Sequence, residues 1–388
     1  MTPPGLIEGL KRLIALPSVS SVNPEWDQGN ETVVTELAGW FEDLGFTTEL
    51  LAIPGHTGKF NLVATLGRGD DGLVLSGHSD TVPFDAARWG GDPFRLRQRD
   101  GRLYGLGVID MKSFFPLVIE ALRGLNLRHL RHPLVVVATA DEESNMCGAQ
   151  ALLDWQRRLG RHAIIGEPTG MRPIRMHKGI AMEAIRLRGR SGHSSDPSLG
   201  VNALDGMYQV IGEIIAWREA LRQRLRNPAF EIPYTTVNLG HVHGGDNPNR
   251  ICGECELQID IRPLPGLALE TLREELRERL SRRLQGSGLE LEMRPLFAGI
   301  EAVETAADSA IVTAVEAATG VPAGSAAYGT EAPYLNRLGM ETVIFGPGDI
   351  AQAHQPDEYL DEARITPYVE QLRTLIARFC LEAGQPPV

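Results

Sequence analysis

The chain has 388 residues, 43% hydrophobic and 23% charged, the composition of a soluble globular protein long enough for more than one core. Its net charge of −12 argues against nucleic acid or an anionic membrane surface as partner, since both need a basic face. No apolar run approaches the roughly 18 residues of a membrane-spanning helix, and four cysteines (Cys147, Cys252, Cys255, Cys380) make no disulfide framework.

At the N-terminus, "LIEGLKRLIAL" mixes Glu8, Lys11 and Arg12 into its apolar residues. That pattern predicts an amphipathic helix rather than a secretory leader, and hence a cytoplasmic protein. Strands and helices then alternate. "NLVATL" (61–66) and "GLVLSG" (72–77) read as strands, "SFFPLVIEALRGL" (113–125) as a helix and "LVVVATA" (134–140) as a strand. "GAQALLDWQRRL" (148–159) follows as a helix and "AIIGEP" (163–168) as a strand. This alternation predicts an α/β sheet with helices on its faces.

The pattern changes after His177. "GIAMEAIRLRGRSG" alternates as a strand, "NALDGMYQVIGEIIAWREALRQRL" is a long helix, and "TTVNLGHVHGG" and "CELQIDIRP" are strand-like. A helix with Leu269, Leu272, Leu276, Leu280 and Leu284 on one stripe and the strand "LELEM" (289–293) complete a strand–helix–strand–strand–helix–strand unit, as in ferredoxin-like folds. After Pro295 come "SAIVTAVEAATG", "ETVIFG" and "TPYVEQLRTLIARF", again helix, strand, helix. We therefore expect residues 1–178 and 295–388 to form a discontinuous α/β domain, and 179–294 an inserted α+β domain. Cys252 and Cys255 form a lone C-x-x-C in "RICGECELQIDIRP". On a strand their side chains face opposite sides, which predicts one buried and one incidental thiol rather than a metal pair.

The chemistry-bearing residues stand where strands end. "LSGHSDTVP" places His78 and Asp80 just beyond one strand, "VVVATADEES" places Glu142 and Glu143 beyond another, and "IIGEPT" places Glu167 beyond a third. "GLGVIDMK" puts Asp110 in a loop that opens a helix, and "QAHQPDEYL" puts His354 in a loop after "VIFGPG". Ligands of open α/β sheets bind outside the carboxyl ends of the strands. Any one of these residues is more often structural than functional, and an Asp-Glu-Glu run is usually a solvated turn. Their coincidence at several strand ends of one sheet argues otherwise. Carboxylates crowd together when a cation compensates them. Two imidazoles with several carboxylates suit zinc, cobalt or manganese better than magnesium or calcium. A carboxylate left over from ligation can take a proton from a metal-activated water. The "GxGxxD" from Gly105 lacks the third glycine and the preceding strand of a dinucleotide loop.

Taken together, "SGHSDTVPFD", "DPFRL", "ATADEES", "IIGEPT", "SGHSSDP", "GVNA", "NLGHVHGGDNPNRIC", "DIRPLPG", "GTEAPY" and "AHQPDEYL" resemble, in this order, the dinuclear-zinc amidohydrolase and peptidase family that includes acetylornithine deacetylase, succinyl-diaminopimelate desuccinylase, aminoacylase and carboxypeptidase G. The resemblance covers nearly the whole chain. It implies a catalytic domain with a mixed, mostly parallel sheet flanked by helices, and a ferredoxin-like lid and dimerisation domain. It implies two divalent metal ions per subunit, zinc first and cobalt second, with His78 and Glu167 on one, Glu143 and His354 on the other, and Asp110 between them. Glu142 is then the general acid/base, Asp80 accepts a hydrogen bond from His78 and fixes its tautomer, and the Asp110–Met111 peptide bond is cis. In the lid, His193 reaches the partner subunit's site of a homodimer, and Arg250, with Asn249 beside it, holds the substrate α-carboxylate. Glu331 sits towards the substrate side chain. The implied reaction hydrolyses a small-molecule N-acyl amino acid. N2-acetyl-L-ornithine, a step of arginine biosynthesis, is the first expectation, and a related deacylase, desuccinylase or dipeptidase is the alternative. Val108 and Ile109 stand where relatives commonly carry small residues.

Overall fold

A computed structural model describes residues 2–381. The chain divides into two compact units: one holds the chain up to Arg175, Thr305–Gly324 and the chain from Thr330 onward, the other Met176–Glu304 with Ser325–Gly329. The insertion therefore begins earlier and ends later than 179–294.

In the first unit, strands run side by side in the order Thr47–Ala52, Phe60–Leu66, Leu134–Thr139, Leu73–His78, His162–Ile165, Glu341–Ile344 and Ile174–His177, the unit boundary falling inside the last. The four strands at 134–139, 73–78, 162–165 and 341–344 are mutually parallel, and those outside them pair antiparallel. Leu73–His78 and Leu134–Thr139 are buried at every position. Covered on both faces, they read as continuous apolar runs and not as alternation. Helix Phe114–Arg123 supplies Phe114, Phe115, Leu117 and Val118 to this core, and helix Ile365–Cys380 supplies Tyr368, Leu372, Leu375 and Ile376 at helical spacing. Each such side chain contributes about 1.5–3 kcal/mol by leaving water. The parallel alignment does the functional positioning. His78 lies opposite Thr139, so the loops after these strands start from one edge of the sheet.

The second unit has an antiparallel sheet in the order Thr236–Gly244, Glu254–Arg262, Ala181–Arg188, Glu290–Pro295. Helices Ala203–Arg224 and Leu269–Arg283 cover it, and all five leucines of the expected stripe are buried. The C-x-x-C expectation is corrected in part. Both Cys252 and Cys255 are buried in this core, and Cys252 precedes the strand, which starts at Glu254, so alternation does not apply to it. Helix Glu31–Asp43 and strand Thr47–Ala52 are additions to the expected elements.

Candidate functional site

The site is built on loops at one edge of the parallel sheet. His78 ends its strand fully buried, with Nδ1 3.1 Å from the backbone oxygen of Asp80. A carbonyl only accepts, so Nδ1 carries the proton, and Nε2 faces Asp110 Oδ1 at 3.0 Å and Glu167 Oε1 at 3.7 Å. The Asp80 carboxylate lies 3.6 Å from Nδ1, beyond hydrogen-bonding reach. Expected to fix the His78 tautomer with its side chain, Asp80 does so with its main chain. Its carboxylate instead accepts the backbone N–H of Glu142 (3.3 Å) and of Glu143 (3.1 Å).

That contact fixes the acidic turn. Asp141 has a left-handed backbone, φ 55°, which turns the chain out of its strand. Its buried carboxylate pairs with Lys59 Nζ at 2.6 Å, and Lys59 also meets Asp27 at 2.8 Å. With Asp141 held away by this lysine, Glu142 and Glu143 project to the sheet edge. His56, Asp141 and Cys147 also cluster, but the Lys59 ammonium already supplies the cation there.

Asp110 sits in a loop that turns at Gly107, φ 76°, and its peptide bond to Met111 is cis, as expected. Its two oxygens face different imidazoles: Oδ1 is 3.0 Å from His78 Nε2, and Oδ2 is 3.3 Å from His354 Nε2. The same His354 nitrogen is 3.0 Å from Glu143 Oε1. Glu167 follows Gly166, where a Cβ would stand 2.1 Å from Phe114 Cδ2. Only glycine lets this strand end lie on that buried ring.

The electrostatics describe a site that demands positive charge. Burial would lower His78, yet Glu167, Asp110 and Asp80 hold it well above the ordinary imidazole value. Hydrogen bonds that His354 donates to Asp110 and then to Glu143 push it up to about 10. Burial, then like charge from Glu167, Glu143 and Glu331, holds the Glu142 carboxyl well above its usual range, with His78 opposing. Burial and Asp110 raise Glu143 and, more strongly, Glu167. Glu331, 1% exposed, is pushed up to about 7 by burial, and its Oε1 has no hydrogen-bond partner.

Donor atoms of His78, Asp110 and Glu143 all lie within 4.8 Å of one another, and so do those of His78, Glu142 and Glu167. Mixed imidazole and carboxylate donors, crowded around one aspartate whose oxygens diverge, fit a pair of divalent cations such as zinc or cobalt.

In the second unit, the lid residues singled out from the sequence lie together. His193 and Arg250 pair across an isolated β-bridge, and Ser194 donates its N–H to the Asn249 carbonyl at 3.0 Å. His193 is exposed and its Nδ1 meets Ser195 Oγ at 2.7 Å, while Arg250 pairs with Asp246 at 2.6 Å.

Glu358 and Lys112 of the first unit, like Lys59 above, escaped the sequence reading. Glu358, 1% exposed, accepts three backbone N–H bonds from the loop of Asp110, and buried Lys112 donates to the carbonyls of Leu13 and Leu16. The only signal for Glu358 was its place four residues after His354 in "HQPDEYL".

An α/β sheet whose carboxyl edge gathers imidazoles and carboxylates in this way defines a metal-dependent hydrolase. Residues 74–378 match the family described as Peptidase family M20/M25/M40, and the chain belongs to that family. It is 47% identical over 380 residues to a protein of Pectobacterium atrosepticum named acetylornithine deacetylase, covering 98% of this chain and 99% of that one. It is 48% identical over 378 residues to a protein of Proteus mirabilis with the same name, covering 97% of each. The fold is similar to that of aminopeptidase PepT from Bacillus cereus, with a TM-score of 0.74 at 21% identity, over 96% of this chain and 97% of that one.

Proposed function

We propose that this protein hydrolyses the amide of N2-acetyl-L-ornithine to acetate and L-ornithine, in arginine biosynthesis. The observation that carries the chemistry is Asp110, whose two oxygens face His78 at 3.0 Å and His354 at 3.3 Å. His78 and Glu167 would hold one divalent metal, Glu143 and His354 the other, with Asp110 between them; zinc suits the donor set first and cobalt second. When bound, such a pair polarises an acyl oxygen and acidifies water. Glu142, the carboxylate left over, takes a proton from the attacking water and returns it to the leaving amine. Its raised basicity, set by burial and its acidic neighbours, suits both transfers. His193 donates to the oxygen that gains negative charge. Arg250, with Asn249 beside it, receives the substrate α-carboxylate. Glu331, with a buried unpartnered oxygen, faces the cationic end of the substrate side chain. Support for the substrate comes from the relatives named above.

The protein works as a homodimer through its second unit. Support lies in Leu204, Tyr208 and Ile215, exposed 46%, 80% and 40% on helix Ala203–Arg224, and in Val242, exposed 52% on the outermost strand of that sheet. Four free thiols suit the reducing cytoplasm; among the described residues no helix is long and apolar enough to cross a membrane.

A panel tests the reading: N2-acetyl-ornithine, other N-acetyl amino acids, N-succinyl-diaminopimelate and dipeptides, assayed with zinc or cobalt and after chelation. The expected result is the highest kcat/KM on N2-acetyl-ornithine, abolished by chelation. Preference for the succinyl substrate or a dipeptide would move the protein to another activity on the same machinery.

A further inference from the structure

Glu358 occupies an unusual position for a carboxylate. It is 1% exposed, with the buried Lys112 ammonium close enough to feel its charge. Its partners are main-chain donors of one short loop. Oε1 accepts the N–H of Ile109 at 2.8 Å and of Asp110 at 3.2 Å, and Oε2 accepts the N–H of Gly107 at 3.1 Å. Its own carbonyl takes the N–H of Gly105 at 3.2 Å. Four of the six residues 105–110 thus hang on one glutamate. Glu358 stands four residues after His354. One residue therefore links the segments that carry Asp110 and His354, both of which meet through Asp110 Oδ2.

Burying a carboxylate is costly unless hydrogen bonds satisfy it. Three backbone N–H bonds do so here, one each from Gly107, Ile109 and Asp110. A loop that only needed anchoring could use the carbonyls of a neighbouring strand. The two oxygens bind donors on either side of the turn at Gly107, φ 76°, which fixes both the height of Asp110 and the direction of its side chain.

We infer that Glu358 is the positioning residue of the metal bridge: it acts through the backbone of residues 107–110 to set the Asp110 carboxylate between His78 and His354. The inference rests on the two-metal reading above. Supporting groups of this kind typically change metal affinity by 10- to 100-fold. Glu358 hydrogen-bonds the main chain of this loop, so its loss acts through the placement of Asp110 and of the segment that carries His354.

Glu358→Gln keeps the shape and removes the match. An amide can offer its oxygen to Ile109 and Asp110 or to Gly107, and then sets its own N–H groups against the remaining donor. Glu358→Asp keeps the carboxyl group on a shorter stem. Glu301→Gln is the control, since Glu301 also accepts a backbone N–H, that of Leu269, in the second unit. The metal-free proteins are titrated with Co2+ and with Zn2+ alone, following the visible cobalt spectrum and bound-metal stoichiometry, with melting temperatures recorded before metal. Expected are 10- to 100-fold weaker metal binding and an altered cobalt spectrum in Glu358→Gln, a smaller change in Glu358→Asp, and none in Glu301→Gln beyond lost stability. On N2-acetyl-ornithine with saturating metal, kcat should fall more than KM rises. Wild-type cobalt affinity and spectrum in a folded Glu358→Gln, with only a lower melting temperature, would overturn the inference and leave the two-metal reading standing. Should the wild type take up no divalent metal, that reading falls and this one with it. If Glu358→Gln does not fold, Glu358→Asp decides by the same criteria.

Discussion

Glu142 and Glu143 are adjacent in the chain and share the Asp80 carboxylate through their backbone N–H groups, yet their side chains keep different company. Glu143 lies 3.0 Å from His354, whereas Glu142 belongs with Glu167 and His78. We therefore expect Glu142→Ala to keep both metals and lose turnover by about 10²–10⁴-fold, the usual contribution of a general acid/base. Glu143→Ala should lose metal together with activity. Metal analysis alongside the assay checks this, and equal depletion in both variants would remove the division of labour. Arg250→Ala should reduce hydrolysis of N-acetyl amino acids far more than that of an N-acetyl amine without a carboxylate, measured as a ratio of kcat/KM values. Its present partner, Asp246 at 2.6 Å, is exposed and easily exchanged for a substrate anion. At this scale the sequence was legible where a side chain acts directly. His78 ends a buried strand and Glu142, Glu143 and Glu167 stand just past others, and that position carries their meaning. Glu358 and Lys59 were not legible, because each works on a main chain or side chain far away. The Glu358 bonds span 248 to 251 positions, and Lys59 meets Asp141 across 82.

Among the elements, burial on both faces made the central strands easy to recognise, and the leucine stripe of helix Leu269–Arg283 did the same for its face. The missed pieces have physical reasons. Strand Thr47–Ala52 lies at the sheet edge, partly exposed, and its "TTELLA" neither alternates cleanly nor forms an apolar run. The three-residue strands Arg97–Arg99, Arg102–Tyr104 and Tyr359–Asp361 are too short to show a period. Helix Glu31–Asp43 does carry a stripe, Val33, Val34, Leu37 and Phe41, which reading for strand–helix alternation passes over. His177, at the end of strand Ile174–His177, gives a test at this scale. It is fully buried, its Nδ1 meets the Lys178 carbonyl at 2.8 Å, and burial pushes its pKa down to about 4 from 6.5. A depressed imidazole stays neutral in the folded state while the unfolded chain takes up a proton. Its contribution to stability is therefore complete above about pH 6.5 and is lost as pH falls towards 4. In urea unfolding of metal-free protein, wild type should lose about 2 kcal/mol more than His177→Leu between pH 7.5 and pH 5. A difference between the two proteins that does not change with pH would mean that His177 is not held neutral.

For the molecule as a whole, the division of residues between the two units bears on how the site is completed. Every proposed metal-binding residue belongs to the first unit, while His193, Asn249 and Arg250 belong to the second. We propose that His193 serves the partner subunit's site across a two-fold interface made by the second units. On its own subunit it is an exposed turn residue with Ser195 as its neighbour, and a purely structural reading would leave it there. A two-fold interface is isologous, so the two sites of a dimer are equivalent and each would borrow one histidine. This makes a prediction that no single variant can make. Glu142→Ala and His193→Ala homodimers should each be inactive, one for lack of the base and the other for lack of the borrowed imidazole. After subunit exchange, a mixed dimer has one site that combines an intact Glu142 with an intact His193 from across the interface, and a second site that lacks both. Random exchange makes about half the dimers mixed, and half the sites in those are complete, so about a quarter of wild-type activity should return. The measurement is activity on N2-acetyl-ornithine before and after exchange, with exchange verified by mass-tagged subunits. If mixed dimers form and no activity returns, His193 serves its own subunit or none, and the second unit pairs the subunits without completing their sites.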